Sequence, residues 1–365
     1  MLQKFFATAL SIAVFSNVYS QDTAAVAPAF KLSGAADVYY RYNFNDPRDL
    51  PSGGNDYNNR TSFTNSQNSF ELGMISLKAE HSFGKASMVG DFGFGRRVEE
   101  FSYNDKPSLN GFVSLANIKQ LYLSYAISDK FKLTAGKWAT HVGYELVDPY
   151  LNRNYSMSYM FSYGPFFHTG LKADISLGGK TAFMIGIANP TDLTTTRSTS
   201  KFLIGQFSTG SADDKFKLYL NYQGGKYAVE SSLNHFDLVL TAALADKFSI
   251  GYNGTVQSRK PLGGSSDSWW GSALYLNADP AEHFGLTLRT EYVHDEKNVV
   301  GIGNNIIETT LTGIFKVGNL SIMPELRLDN ASKGVSPFRK NTGSGSATTA
   351  TKSTFTALLA AAYSF

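Results

Sequence analysis

The chain has 365 residues, 42% of them hydrophobic, with 33 glycines, 20 tyrosines and 27 phenylalanines, too apolar and aromatic for a disordered polymer and long enough for one large or two ordinary domains. Cysteine is absent, which excludes disulfide staples and thiolate metal sites. A formal charge of +3 gives no reason to expect a nucleic-acid partner.

Met1 to Ser20 has a basic start at Lys4, an apolar run from Phe5 to Val18, and Val18-Tyr19-Ser20 ahead of Gln21. That pattern predicts a cleaved secretory signal over 1–20 rather than a membrane anchor, for which the run is short. Residues 21–29, QDTAAVAPA, read as a periplasmic leader into the first strand. After Gln21 no run of eighteen apolar residues occurs, so no helical span is expected.

From Phe30 to Phe365 one unit repeats: about ten residues of alternating polarity, then a connection. Leu32, Gly34, Ala36, Val38, Tyr40 and Tyr42 share a face opposite Asp37, Arg41 and Asn43; Phe167, Leu171 and Ile175 oppose His168, Lys172 and Asp174; Leu286 and Leu288 oppose Thr287, Arg289 and Glu291. Alternation alone does not say which face is inside, since a soluble sandwich shares it. Connection lengths help. Tight joins such as Phe83-Gly84, Gly178-Gly179 and Gly318-Asn319 alternate with long ones over 45–67, 96–117, 141–165, 189–199, 224–234, 258–267, 294–305 and 330–352. Seven short turns interleaved with eight long loops predict an all-β, transmembrane, antiparallel up-and-down barrel of about sixteen strands, with eighteen or fourteen as alternatives. Eighteen would follow if 96–117 hides a further hairpin.

Aromatics gather near strand ends, Tyr40, Tyr42, Phe44, Phe92 and Phe94 at one level and Phe83, Phe131, Phe216, Phe248, Phe284, Phe315 and Phe365 at the other, as girdles at two lipid interfaces would. Two places resist the pattern. The apolar parity slips between Met74 and Ile75, which reads as a bulge, and Pro324 falls within a strand.

Sixteen strands enclose a lumen too wide for wall side chains to fill, so an aqueous channel is the default unless a loop plugs it. Candidate pore-lining residues on the polar faces are Arg41, Lys172, Asp174, Arg289, Glu291, Glu325, Arg327 and Asp329, with wall-stiffening ion pairs as the competing role. In the third long loop, 141–165, the charges Glu145, Asp148 and Arg153 are candidates for a constriction, and a lid over the mouth is the alternative.

Enzyme motifs are missing. Gly179-Lys180-Thr181 lacks the first glycine of a phosphate loop, and neither H-E-x-x-H nor G-x-S-x-G occurs. A Ser/His/Asp set on the barrel surface stays open from spacing alone. The oxygen-rich stretch Asp46 to Asn59 reads as solvated loop rather than a Ca²⁺ site, and no metal or cofactor is expected.

The last strand, Ser353 to Phe365, puts Phe355, Ala357, Leu359, Ala361, Tyr363 and Phe365 on one face. Tyr363 and the terminal Phe365 look like the signal that barrel-assembly machinery reads in Gram-negative outer membranes; a closing strand of a soluble β-sandwich is the other reading. The segments GKWATHVGYE (136–145), DPYLNRNYSMSYMFSYGPFFHTG (148–170), IANPTD (187–192), RTEY (289–292) and PELRLD (324–329) decide between them. In these the chain resembles the OmpL-like β-barrel porins found widely in Bacteroidetes. The resemblance implies a pore-forming barrel in a Gram-negative outer membrane, in contact with lipid, and carries no defined binding site. The expected function is a passive diffusion channel for small hydrophilic solutes, with a homo-oligomer possible by analogy; the alternative is a plugged barrel whose loops serve adhesion or partner binding.

Overall fold

The computed structural model describes residues 29–47, 58–105, 115–196, 199–228, 231–332, 336–343 and 348–365. The expected signal and leader up to residue 28, and most of the oxygen-rich stretch of the first loop, lie outside the described residues. The strands are β1 (Ala29–Asn43), β2 (Ser69–Phe83), β3 (Ala86–Phe94), β4 (Ile118–Ser128), β5 (Phe131–Ala139), β6 (Phe167–Gly178), β7 (Thr181–Ala188), β8 (Phe202–Gly210) and β9 (Phe216–Ala228). They continue as β10 (Ser231–Ala245), β11 (Phe248–Lys260), β12 (Asp267–Ala281), β13 (Phe284–His294), β14 (Asn305–Val317), β15 (Leu320–Ala331), β16 (Phe338–Asn341), β17 (Thr348–Thr351) and β18 (Ser353–Ser364). Consecutive strands from β1 to β15 pair antiparallel, β18 pairs with β15 and closes on β1, and β16 and β17 form a separate hairpin in the last loop, leaving sixteen strands in a closed barrel. Among the described residues no helix is long and apolar enough to cross a membrane.

The burial pattern is inverted relative to a water-soluble sheet. Phe70, Leu72, Ile75, Leu123, Leu171 and Leu203 are exposed on the outer surface, whereas Asp37, Arg41, Asn221, Gln223, Thr287, Arg289, Glu308 and Thr312 are buried inside. Lipid as the outer solvent explains the inversion, since an Arg or Lys turned outward at mid-depth would cost roughly 2–4 kcal/mol. Closure uses the terminal residue: Phe365 N–H donates to Gly34 O at 2.9 Å and Gly34 N–H to Phe365 O at 3.0 Å.

Both irregularities have a structural cause. The β1–β2 register shifts between Asp37 and Val38, so that Met74 and Leu72 take adjacent partners and Gly73 is the extra residue. A Cβ on Gly73 would stand 1.7 Å from Asp37 Oδ2 and 2.9 Å from Tyr155 Oη. Gly73→Ala is therefore expected to lose about 1–3 kcal/mol through overpacking, read as a lower urea midpoint of the detergent-folded barrel; an unchanged midpoint contradicts this account. Pro324 pairs with Leu359 of β18, and the β14–β15 ladder is interrupted beside it, between Thr312–Glu325 and Phe315–Ile322. The missing N–H falls where no ladder bond is made.

One connection differs from expectation. β9 and β10 run through most of 224–234, so that join is far shorter than its Gly224-Gly225 pair implies. In 96–117 the described part carries a short helix, α1 (Arg96–Phe101), and a 3₁₀ turn at Leu115–Asn117 instead of a hairpin; residues 106–114 lie outside the described residues.

Candidate functional site

The third long connection, between β5 and β6, enters the barrel and runs against its inner wall. Its first residues face β9 to β12: His141 Nε2 lies 3.0 Å from Tyr222 O, Gly143 N–H donates to Asp237 at 3.0 Å, and the Tyr144 ring stacks on Tyr275 at 4.1 Å. The chain then reaches β4, turns through a 3₁₀ segment at Pro149–Leu151, and descends to β12 and β13. It returns along β14, β15 and β1 to α2 (Tyr159–Tyr163), which Ser158 caps by accepting from Phe161 N–H at 3.1 Å.

Each of the three charges singled out in this loop meets an opposite charge on the wall. Glu145 lies 2.5 Å from Arg289, Asp148 is 2.6 Å from Lys119, and Arg153 is 2.9 Å from Asp279 and 2.7 Å from Thr287. Wall carboxylates also take loop amides. Glu291 accepts from Tyr159 and Met160 N–H at 2.7 Å each, and Glu325 from Tyr155 N–H at 2.8 Å. Tyr155 itself, fully buried, donates its hydroxyl to Asp37. Bonds to a charged acceptor contribute roughly 1.5–3 kcal/mol each, so together they define one path for a loop that has little regular structure of its own.

The candidate pore-lining residues all project inward but have different surroundings. Arg289 and Glu291 are fully buried, Arg289 also pairing with Glu308 at 3.0 Å. Arg327 pairs with Asp329 at 2.8 Å and donates to Met157 O at 2.7 Å, while Arg41 donates to Ser66 O of the first loop. Lys172 and Asp174, 3.7 Å apart, are the pair that keeps partial contact with water, their side chains each 16% exposed beside Lys132. Tyr363 and Phe365 lie exposed on the outer face of the closing strand. Sequence reasoning passed over Lys119 and Glu308. Glu308 carried a signal, being an acid on the polar parity of β14; Lys119 did not, because it occupies a register shift opposite Asp91.

Loops two to four meet at one buried carboxyl. Asp192, in the connection after β7, accepts from Phe166 and Phe167 N–H at 2.7 and 3.0 Å and from Tyr103 Oη at 3.2 Å. Burial pushes its carboxyl up to about 7 despite those donors. A carboxyl raised on folding contributes stability that is full below its unfolded pKa near 4 and lost as pH rises through about 7. Loop docking is thus expected to weaken between those limits, by at most about 1.4 kcal/mol per pH unit. Hydrogen exchange at the Phe166 and Phe167 amides should show this slope in the native chain and a flat profile in Asp192→Asn; equal slopes would refute it.

Comparisons with known proteins agree with this architecture. The anion-selective porin from Comamonas acidovorans superposes with a TM-score of 0.60 at 11% identity, covering 93% of this chain and 100% of that one. The outer membrane channel DcaP of Acinetobacter baumannii gives 0.58 at 12% identity, covering 93% and 97%. The trimer form of OmpT from Vibrio cholerae gives 0.58 at 10% identity, covering 93% and 99%. At such identities the likeness establishes the fold alone. No curated protein matches the sequence closely enough to serve as a relative. The profile of the family described as "Putative beta-barrel porin-2, OmpL-like" matches residues 29–365, nearly the whole chain, and with the closed sixteen-stranded barrel it assigns this protein to that porin family, in the outer membrane of a Gram-negative bacterium.

Proposed function

We propose that the barrel is a passive channel for small hydrophilic solutes, constricted by the loop 141–165. The observation that carries this reading is the pairing of Glu145, Asp148 and Arg153 with Arg289, Lys119 and Asp279 across the lumen. A loop held by ion pairs and amide-to-carboxylate bonds can be withdrawn without unfolding the wall, whose strand ladders it does not share. The conformation described here is the narrow one. Single-channel recording of the detergent-folded chain in planar bilayers tests this: small, infrequent steps are expected, with a reversal potential that moves when Asp148 is changed to Lys.

The burial of Arg289, Glu291 and Glu308 also favours a second reading, a permanently plugged barrel that presents its outer loops to a partner. A native chain that never conducts, together with a loop-excised chain that does, would select it. Silence from both would end the channel reading.

A further inference from the structure

The outer mouth holds a cavity of about 350 Å³ lying directly on the loop that fills the lumen. Loops one to four and seven and the end of β11 all contribute to it. Its size is at the small end of the ~300–1,000 Å³ range of small-molecule sites, enough for one or two sugar rings and too little for a polymer segment.

The walls combine two kinds of surface. Tyr103, Tyr163 and Phe166 supply aromatic faces; Glu100, Gln257 and Arg259 supply planar polar groups. The polar groups are held in place. Gln257 is 1% exposed, and its amide oxygen accepts from Arg259 Nε at 2.5 Å and from the Trp269 indole at 3.2 Å. Glu100 accepts from Phe63 N–H at 2.6 Å and pairs with Arg96 at 3.3 Å. Arg259 spends only its Nε on this network, and among the described residues its two terminal nitrogens have no hydrogen-bond partner, so a fork of donors remains for a ligand.

Charge within the cavity is balanced. Arg259 and Glu100 line it with opposite charges; Arg96, outside the lining, is shared between Glu100 at 3.3 Å and Glu71 at 3.1 Å, so the two acids and two arginines cancel, and burial of Asp192 between loops favours its neutral form. A charged solute would find no uncompensated opposite charge here. A neutral ring with vicinal hydroxyls can donate to Glu100, accept from Arg259, which Gln257 holds in place, and lay its C–H face on Tyr163.

We propose that this cavity is a loading site for neutral mono- or disaccharides at the channel mouth. Its floor is Ser162-Tyr163-Gly164, the end of the lumen loop, so a bound sugar rests on the element that must move for passage. That role in transport depends on the channel reading; binding does not.

The test uses the full detergent-folded chain, titrated calorimetrically with maltose, with gluconate and glucosamine as anionic and cationic comparators. Saturable maltose binding is expected, weakened about tenfold by Arg259→Ala and by Tyr163→Ala, and unchanged in Lys85→Ala at a turn on the far side. Glu100→Gln serves if either cavity variant fails to fold. No saturable maltose binding, or tighter binding of either charged analogue, overturns the proposal whether or not the barrel conducts. Maltose binding to a barrel that stays silent in bilayers would instead overturn the channel reading alone.

Discussion

Excising residues 144–162 and bridging the ends with a short glycine-serine link is expected to raise single-channel conductance severalfold over the intact chain. The excised stretch spans the lumen from β12 across to β4, β14, β15 and β1, and its contacts with the wall are side-chain contacts and loop amides rather than strand ladders. The sixteen-stranded wall should therefore survive its removal, and a wall of that strand number encloses an aqueous space on its own. Selectivity should shift as well. The stretch carries Glu145, Asp148 and Arg153, two negative charges and one positive, so its loss removes a net −1 from the lumen and moves the reversal potential toward anions. Conductance equal to that of the intact chain would mean that the loop neither plugs nor narrows the path.

The barrel was legible in the sequence because its rule is local. A residue's parity within its own strand tells whether it meets lipid or lumen, and even the exception between Met74 and Ile75 announced itself as a parity slip that the structure places at Gly73. Glycine misled where it served packing rather than turning. Gly224 and Gly225 look like a loop, yet a Cβ on Gly225 would lie 2.6 Å from Lys201 O, so the residue lets neighbouring strands approach. The helix α1 was hidden because six residues are too few to display a 3.6-residue period.

The lumen was far less legible, and for a different reason. Glu145 and Arg289 are 144 residues apart, Tyr155 and Glu325 170, and no pattern within a strand or loop encodes their meeting. Sequence parity puts Arg289, Glu291, Glu325 and Arg327 on the inner face; whether they touch water or a folded-in loop is a matter of tertiary packing. Lys137 is a case within one strand. It shares the parity of Leu133 in β5, and its ammonium is nonetheless covered by Asp105 at 2.9 Å and by the Phe167 ring at 3.9 Å.

Replacing Arg289 by Met is expected to destabilise the folded barrel by about 3–5 kcal/mol, the usual consequence of removing one partner from a buried ion pair. Arg289 is fully buried and lies between two carboxylates, with Nη1 2.5 Å from Glu145 and Nε 3.0 Å from Glu308; Nη1 also donates to Ser156 O at 2.7 Å. Without the guanidinium, two buried acids face each other across the space it filled, one on the wall and one on the loop. The barrel has two ways to relieve that: unfold, or expel the loop and let water in. The second leaves every strand ladder intact, so most of the effect should appear as lengthened open times, with a smaller drop in urea midpoint. Adding Glu145→Gln and Glu308→Gln removes the repulsion and should return both measurements most of the way to the native values, since a neutral set of similar volume is often as stable as a buried ion cluster. If Arg289→Met lowers the midpoint without lengthening openings, and the triple variant restores it, the cluster stiffens the wall and the loop is held by something else.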